Sequence, residues 1–228
     1  MLARRTRSLQ LAVFLAAFFL VWTLRATVFY AVDESIGSRI ARAAYSDLLK
    51  LLLWVLPAAA FARVVRKARP AEYLGLSVWP GARDWLVCLG VTAAFLLASA
   101  LGTMALSGKP PWTTRLTSLP LALWALVALL APLLEELLFR GLVLKELLAL
   151  LPRYRAIVLA SVLFVGTHLP YWLSHRPLSW PLLEDTLGVF VFSLVACWLF
   201  ARTKSIWPPT VAHIANNILA STLAAIHP

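Results

Sequence analysis

Apolar residues run along this chain in long blocks, separated by short clusters of Arg, Lys, Pro and Gly. The blocks approach the roughly 20 residues that cross a bilayer core as a helix, and none shows the ten-residue alternation of a membrane β-barrel strand. Hydropathy windows of about 19 residues predict spans near 9–31, 47–63, 84–106, 119–150, 155–173, 186–202 and 206–226. That gives seven. The fourth is long enough to tilt, to break at Pro120 or Pro132, or to conceal an eighth. The expected fold is an all-α, polytopic transmembrane helix bundle of seven or eight spans. With no internal repeat, Gly/Ser linker or low-complexity tract, residues 1–228 form one integral membrane domain.

Composition strengthens this picture: 61% of the 228 residues are apolar and only 14% are charged, with mean hydropathy +0.83. Soluble domains are nearer 45–50% apolar. The first residues, MLARRTRS before an apolar run, have the layout of a secretory signal but no A-x-A exit, so a retained first span is expected. The formal charge of +11 comes from Lys and Arg lying between apolar runs, not in a stripe interleaved with aromatics, which argues against a nucleic-acid partner. With the N-terminus cytoplasmic, thirteen of the 21 basic residues fall on cytoplasmic segments and six on outer loops, among them Arg39, Arg42 and Lys50. The expectation is therefore a multi-pass protein of the plasma or inner membrane, in contact with lipid. The connection from Arg66 to Asp84 mixes basic and apolar residues as a segment at headgroup level would. Trp79, Trp112, Trp172, Trp180 and Trp207 read as interfacial belts, and Cys88 and Cys197 as buried free thiols.

Ionisable groups in the hydrocarbon region cost about 2.5–3.5 kcal/mol each on insertion scales, so those that persist point to function. Of ten acidic residues only Glu135 and Glu136 sit mid-span; Asp47 reads as a loop residue and Glu146 as lying near a span end. Glu136 and Arg140 are i and i+4 on one helical face and can pair, whereas Glu135 points about 100° away, toward a cavity. The next span holds Phe164 and His168 at i and i+4, with Gly166 permitting a close helix neighbour. In the last span His213 and Asn217 share a face and Asn216 points elsewhere. A carboxylate, two imidazoles and an amide from three spans are the inventory for activating a water and binding an oxyanion. His175 and His227 read as solvated, and Arg25 can snorkel or pair with Asp33 or Glu34.

These motifs carry a resemblance. EELLFR, FVGTH and HIANN resemble the EExxxR, FxxxH and HxxxN motifs of the glutamate-type intramembrane proteases, the family of type II CAAX prenyl endopeptidases and bacteriocin-processing proteins (CPBP or ABI). The likeness covers residues 131–219, with the motifs in the family's order. It implies an intramembrane endopeptidase in which Glu135 is the general base, His168 assists in activating water, and His213 and Asn217 stabilise the oxyanion. Glu136, Arg140 and Phe164 support them. It implies no cofactor; a zinc-dependent variant using Glu135, His168 and His213 is the alternative. The substrate would be a membrane-associated peptide or protein, such as a CAAX-type terminus, a leader peptide or a C-terminal sorting anchor.

Two other classes compete. A non-catalytic immunity or scaffold protein would keep the fold without needing Glu135, and a proton-coupled transporter would show paired, broken spans in two halves, which the sequence lacks. One feature fits poorly. Helical rise puts Glu135 and His168 about 20 Å from the cytoplasmic ends of their helices but His213 only about 10 Å. A non-helical WPP approach that dips into the bilayer, a tilted last span or shifted boundaries would account for it.

Overall fold

A computed structural model describes residues 2–107, 122 and 125–223. The described residues are all-helical: α1 (Leu2–Thr27), α2 (Tyr30–Ser35), α3 (Arg39–Val65), α4 (Pro70–Tyr73), α5 (Ala82–Ser107), α6 (125–150), α7 (Arg153–Gly166), α8 (Leu169–His175), α9 (Trp180–Thr203) and α10 (Trp207–Leu223). Five helices are long and apolar enough to cross a membrane, not the seven or eight expected: α1, α3, α5, the α7–α8 rod and α9. α6 falls outside because Glu135, Glu136, Arg140, Lys145 and Glu146 lie along it, and α10 has only 17 described residues. Pro120, Trp112 and His227 lie outside the described residues.

α6 occupies the centre. Every residue from Leu137 to Leu144 is buried, with α3, α7, α9 and α10 packed around it. Pro132 does not break it. A proline removes the donor to the carbonyl four residues back, and the wide i→i+5 turns at Ala125–Leu130 accommodate that loss; Leu51–Val55 does the same before Pro57. The predicted fifth span does break, into α7 and α8, where Pro170 enforces a short connection closed by tight i→i−3 bonds from Thr167 and His168. The predicted second span gains its first two turns, residues 39–46, because Arg39, Arg42 and Ser46 face a polar cavity. Gly166 does admit a close neighbour: a Cβ there would lie 3.3 Å from the Phe19 ring of α1.

The connection 66–84 does not lie at headgroup level as expected. Its middle tucks between helix ends, where Leu74 is buried against Gly141 of α6. Irregular backbone is tolerated there because its polar groups are paired inside protein. Gly75 (φ +84) accepts from the Ile206 N–H, Leu76 from the Trp207 indole at 3.0 Å, and Val78 from the Ser205 hydroxyl at 2.6 Å. Glu146, wholly buried, ties the same end together by accepting from Arg7, Arg66 and the Tyr73 hydroxyl. Burial and that bond push the Tyr73 phenol up to about 12, keeping it a donor.

This plug also accounts for the depth misfit. WPP is helical, the first turn of α10, so the non-helical approach considered above is not what forms. α10 starts beneath the 70–79 segment, bonded to it, and so begins recessed. Trp207 is accordingly a hydrogen-bonded, half-buried residue and not a free interfacial anchor.

The close approach at Gly141 has a measurable consequence. A Cβ there would sit 2.8 Å from the Leu74 carbonyl oxygen and 3.2 Å from its Cα, so backbone must move. Gly141→Ala is expected to cost about 1–3 kcal/mol, read as a lower melting temperature in detergent. Gly90→Ala, where nothing lies within 4 Å, should be neutral or stabilising. Equal melting of the two variants would refute the packing of Leu74.

Candidate functional site

The polar side chains of α3, α6, α7–α8 and α10 converge at mid-length of α6. Glu135 points into a cavity of about 440 Å³ that is also lined by Lys50, Thr167, His168, Trp54, Trp172 and Val127. It does not stand free, as the sequence suggested. The Lys50 ammonium donates to its Oε1 at 2.7 Å, with side chains 14% and 12% exposed. Lys50 was assigned to a loop, and Asp47, one turn earlier, is likewise helical and buried. The missed signal was amphipathic spacing, since residues 39, 42, 43, 46 and 50 fall on one helical face.

Glu136 points away from that cavity and is fully buried. Its Oε2 lies 3.1 Å from Arg140 Nε, the pairing anticipated from the i, i+4 spacing, and its Oε1 accepts from His213 Nδ1 at 2.7 Å. The Arg140 contact lacks hydrogen-bond alignment, so the pair is held by charge. The guanidinium also donates to Ser193 Oγ at 2.9 Å and stacks 4.5 Å from the Phe164 ring. Phe164 is buried, with its ring 5.2 Å from that of His168 and 6.0 Å from that of His213.

His168 sits at the α7–α8 break. Its Nδ1 is 3.2 Å from both the Phe164 carbonyl and Thr167 Oγ1, and the Thr167 hydroxyl proton is already donated to that carbonyl at 2.7 Å. Two acceptors around Nδ1 place the ring proton there and leave the Nε2 lone pair free. The Trp22 indole, donating to the Thr167 carbonyl at 2.9 Å, fixes the break against α1. Trp172, expected in an interfacial belt, instead lines the cavity with its ring 5.1 Å from that of His168.

His213 lies between the two carboxylates. With Nδ1 held by Glu136, its Nε2 is 3.8 Å from Glu135 Oε2. Asn217, one turn on, donates to the Val127 carbonyl at 3.5 Å and makes no contact with Glu135 or His168. The structure thus gathers Glu135, Glu136, Arg140, Phe164, His168 and His213, adds Lys50, and leaves Asn217 at the edge. Glu135, His168 and His213 were the ligands of the zinc alternative; among the described residues no three His, Cys, Asp or Glu side chains are grouped to hold a metal ion.

Away from this centre, Arg25 pairs with Asp33 and not Glu34. His175 is exposed and stacked on Tyr171. Cys88 and Cys197 are free and buried, as expected.

An all-helical membrane protein with a carboxylate and an imidazole facing one internal cavity is the class that fold and geometry define. Its family is visible in the part of the chain that carries most of these residues. Residues 117–219 match the family model "Type II CAAX prenyl endopeptidase Rce1-like", a protease family, and this stretch carries that family's domain. Neither a curated protein nor a solved structure matches the chain. Lys50 lies outside the matched region.

Proposed function

We propose that this protein is an intramembrane endopeptidase that hydrolyses a membrane-associated peptide or protein without a metal cofactor. The carrying observation is the split between two adjacent carboxylates. Glu136 is consumed by Arg140 and His213, while Glu135 and His168 line one cavity large enough for peptide and water.

In this reading a water sits between Glu135 and the free Nε2 of His168. Glu135 takes its proton as the hydroxide attacks the scissile carbonyl, and returns it to the leaving amine as the C–N bond breaks. Lys50 keeps Glu135 ionised and oriented. His213, its tautomer set by Glu136, faces the carboxylate and donates toward the developing oxyanion, joined by Asn217 once its weak bond to Val127 is released. A cation already held at Glu135 Oε1 disfavours a second cation beside it, which supports the metal-free form. The assay is cleavage by the purified protein with and without chelator. Unchanged turnover is expected, and loss restored by zinc would favour the alternative.

The N-terminus is placed in the cytoplasm on the distribution of basic residues. The cavity opens near Arg39, at the bundle end opposite Arg4 and Arg66, so its mouth faces the outer side. Single cysteines at exposed Ser38 and Glu72 test this. An impermeant maleimide on intact cells is expected to label Ser38→Cys and spare Glu72→Cys. The opposite pattern would invert the orientation.

A further inference from the structure

Between Glu135 and the mouth, the cavity wall is one face of α3: Lys50, then Ser46 and Ala43, then Arg42 and Arg39. The two small residues leave a trough between cations at either end. Arg25, across the mouth, is neutralised by Asp33, and Lys50 by Glu135. Arg39 and Arg42 are left over. Arg42 is pinned by one bond, Nη2 donating to the Ile36 carbonyl at 2.9 Å, while its buried Nε has no partner among the described residues. Arg39 pairs with no acid among them. A pinned guanidinium with an unused buried N–H presents the fork that a carboxylate accepts.

Arg42 and Lys50 are eight residues apart on regular α-helix, about 12 Å of rise. Extended peptide covers about 3.3–3.6 Å per residue, so that distance holds three to four residues. We infer that the α3 face is a carboxylate-terminated ruler: Arg42, with Arg39, binds the free C-terminal carboxylate of the substrate and sets cleavage three to four residues from its end. This rests on the endopeptidase reading above and narrows its substrates to chains cut close to a free C-terminus.

The test uses the full-length protein and a library of N-palmitoylated peptides made twice, with a free C-terminal carboxylate and as the C-terminal amide, with fragments read by mass spectrometry. The wild type is expected to cut the carboxylate series with kcat/KM about tenfold or more above the amides, the size of one charge-assisted hydrogen-bonded contact, releasing fragments of three or four residues. In Arg42→Gln the ratio should fall toward one; Arg42→Lys should restore part of it, and Arg39→Gln should lower it less. Equal cleavage of both series by the wild type, or fragments of unrelated lengths, would overturn the ruler while leaving the endopeptidase reading standing. Cleavage of neither series would overturn both. If Arg42→Gln slows both series alike and anionic phosphatidylglycerol vesicles bind wild type but not the variant, a lipid headgroup occupies the arginines and the ruler fails.

Discussion

Glu135→Gln is expected to lower kcat/KM by about 10²- to 10⁴-fold, the usual contribution of a positioned general base. The amide keeps the side chain's shape and can still accept from Lys50, so the change removes proton affinity more than packing. Some stability is also lost, because the Lys50 ammonium, only 14% exposed, is left without its counter-ion. The informative comparison is therefore kcat at saturating substrate in folded, size-exclusion-purified protein. His168→Ala should fall in the same range, and the double variant should lose little more, since both act on one water. A non-catalytic scaffold predicts that Glu135→Gln is silent.

Arg140→Met is expected to produce the largest loss of stability, about 3–5 kcal/mol, because it leaves the Glu136 carboxylate buried and short of positive charge. For a chain of this size that corresponds to a fall in melting temperature on the order of 10 °C. Adding Glu136→Gln to Arg140→Met should recover part of the loss, since no buried charge then stands alone. Arg140 also stacks on Phe164 and bonds Ser193, so recovery is partial. A single variant costing under about 1 kcal/mol, or strictly additive losses, would show that the pair is not the structural half of the site.

The sequence exposed the chemistry best where helical spacing alone decides neighbours. The i, i+4 rule paired Glu136 with Arg140 and turned Glu135 elsewhere, and the motifs of α6, α7–α8 and α10 located residues that the fold then gathers, apart from Asn217. It failed where tertiary contacts override hydropathy. Lys50 reads as a loop charge until α3 is seen packed on α6, where Glu135 satisfies it. Glu146 reads as a span-end acid until Arg7, Arg66 and Tyr73 converge on it. The 66–84 connection has the composition of an interfacial segment, yet Leu74 finds a glycine-made gap in α6, and the recessed start of α10 follows from that docking. Counting spans by apolar length likewise fails for α6, whose charges are paired inside the bundle.

The most direct test is hydrolysis in H₂¹⁸O. The purified wild-type protein is incubated with a palmitoylated peptide library, and products are examined for ¹⁸O in the newly formed carboxylate. The expected result is one labelled oxygen in products made by the wild type and their near-absence with Glu135→Gln. Unlabelled or absent products from folded wild type, or equal labelled product from the variant, would contradict a Glu135-driven intramembrane protease.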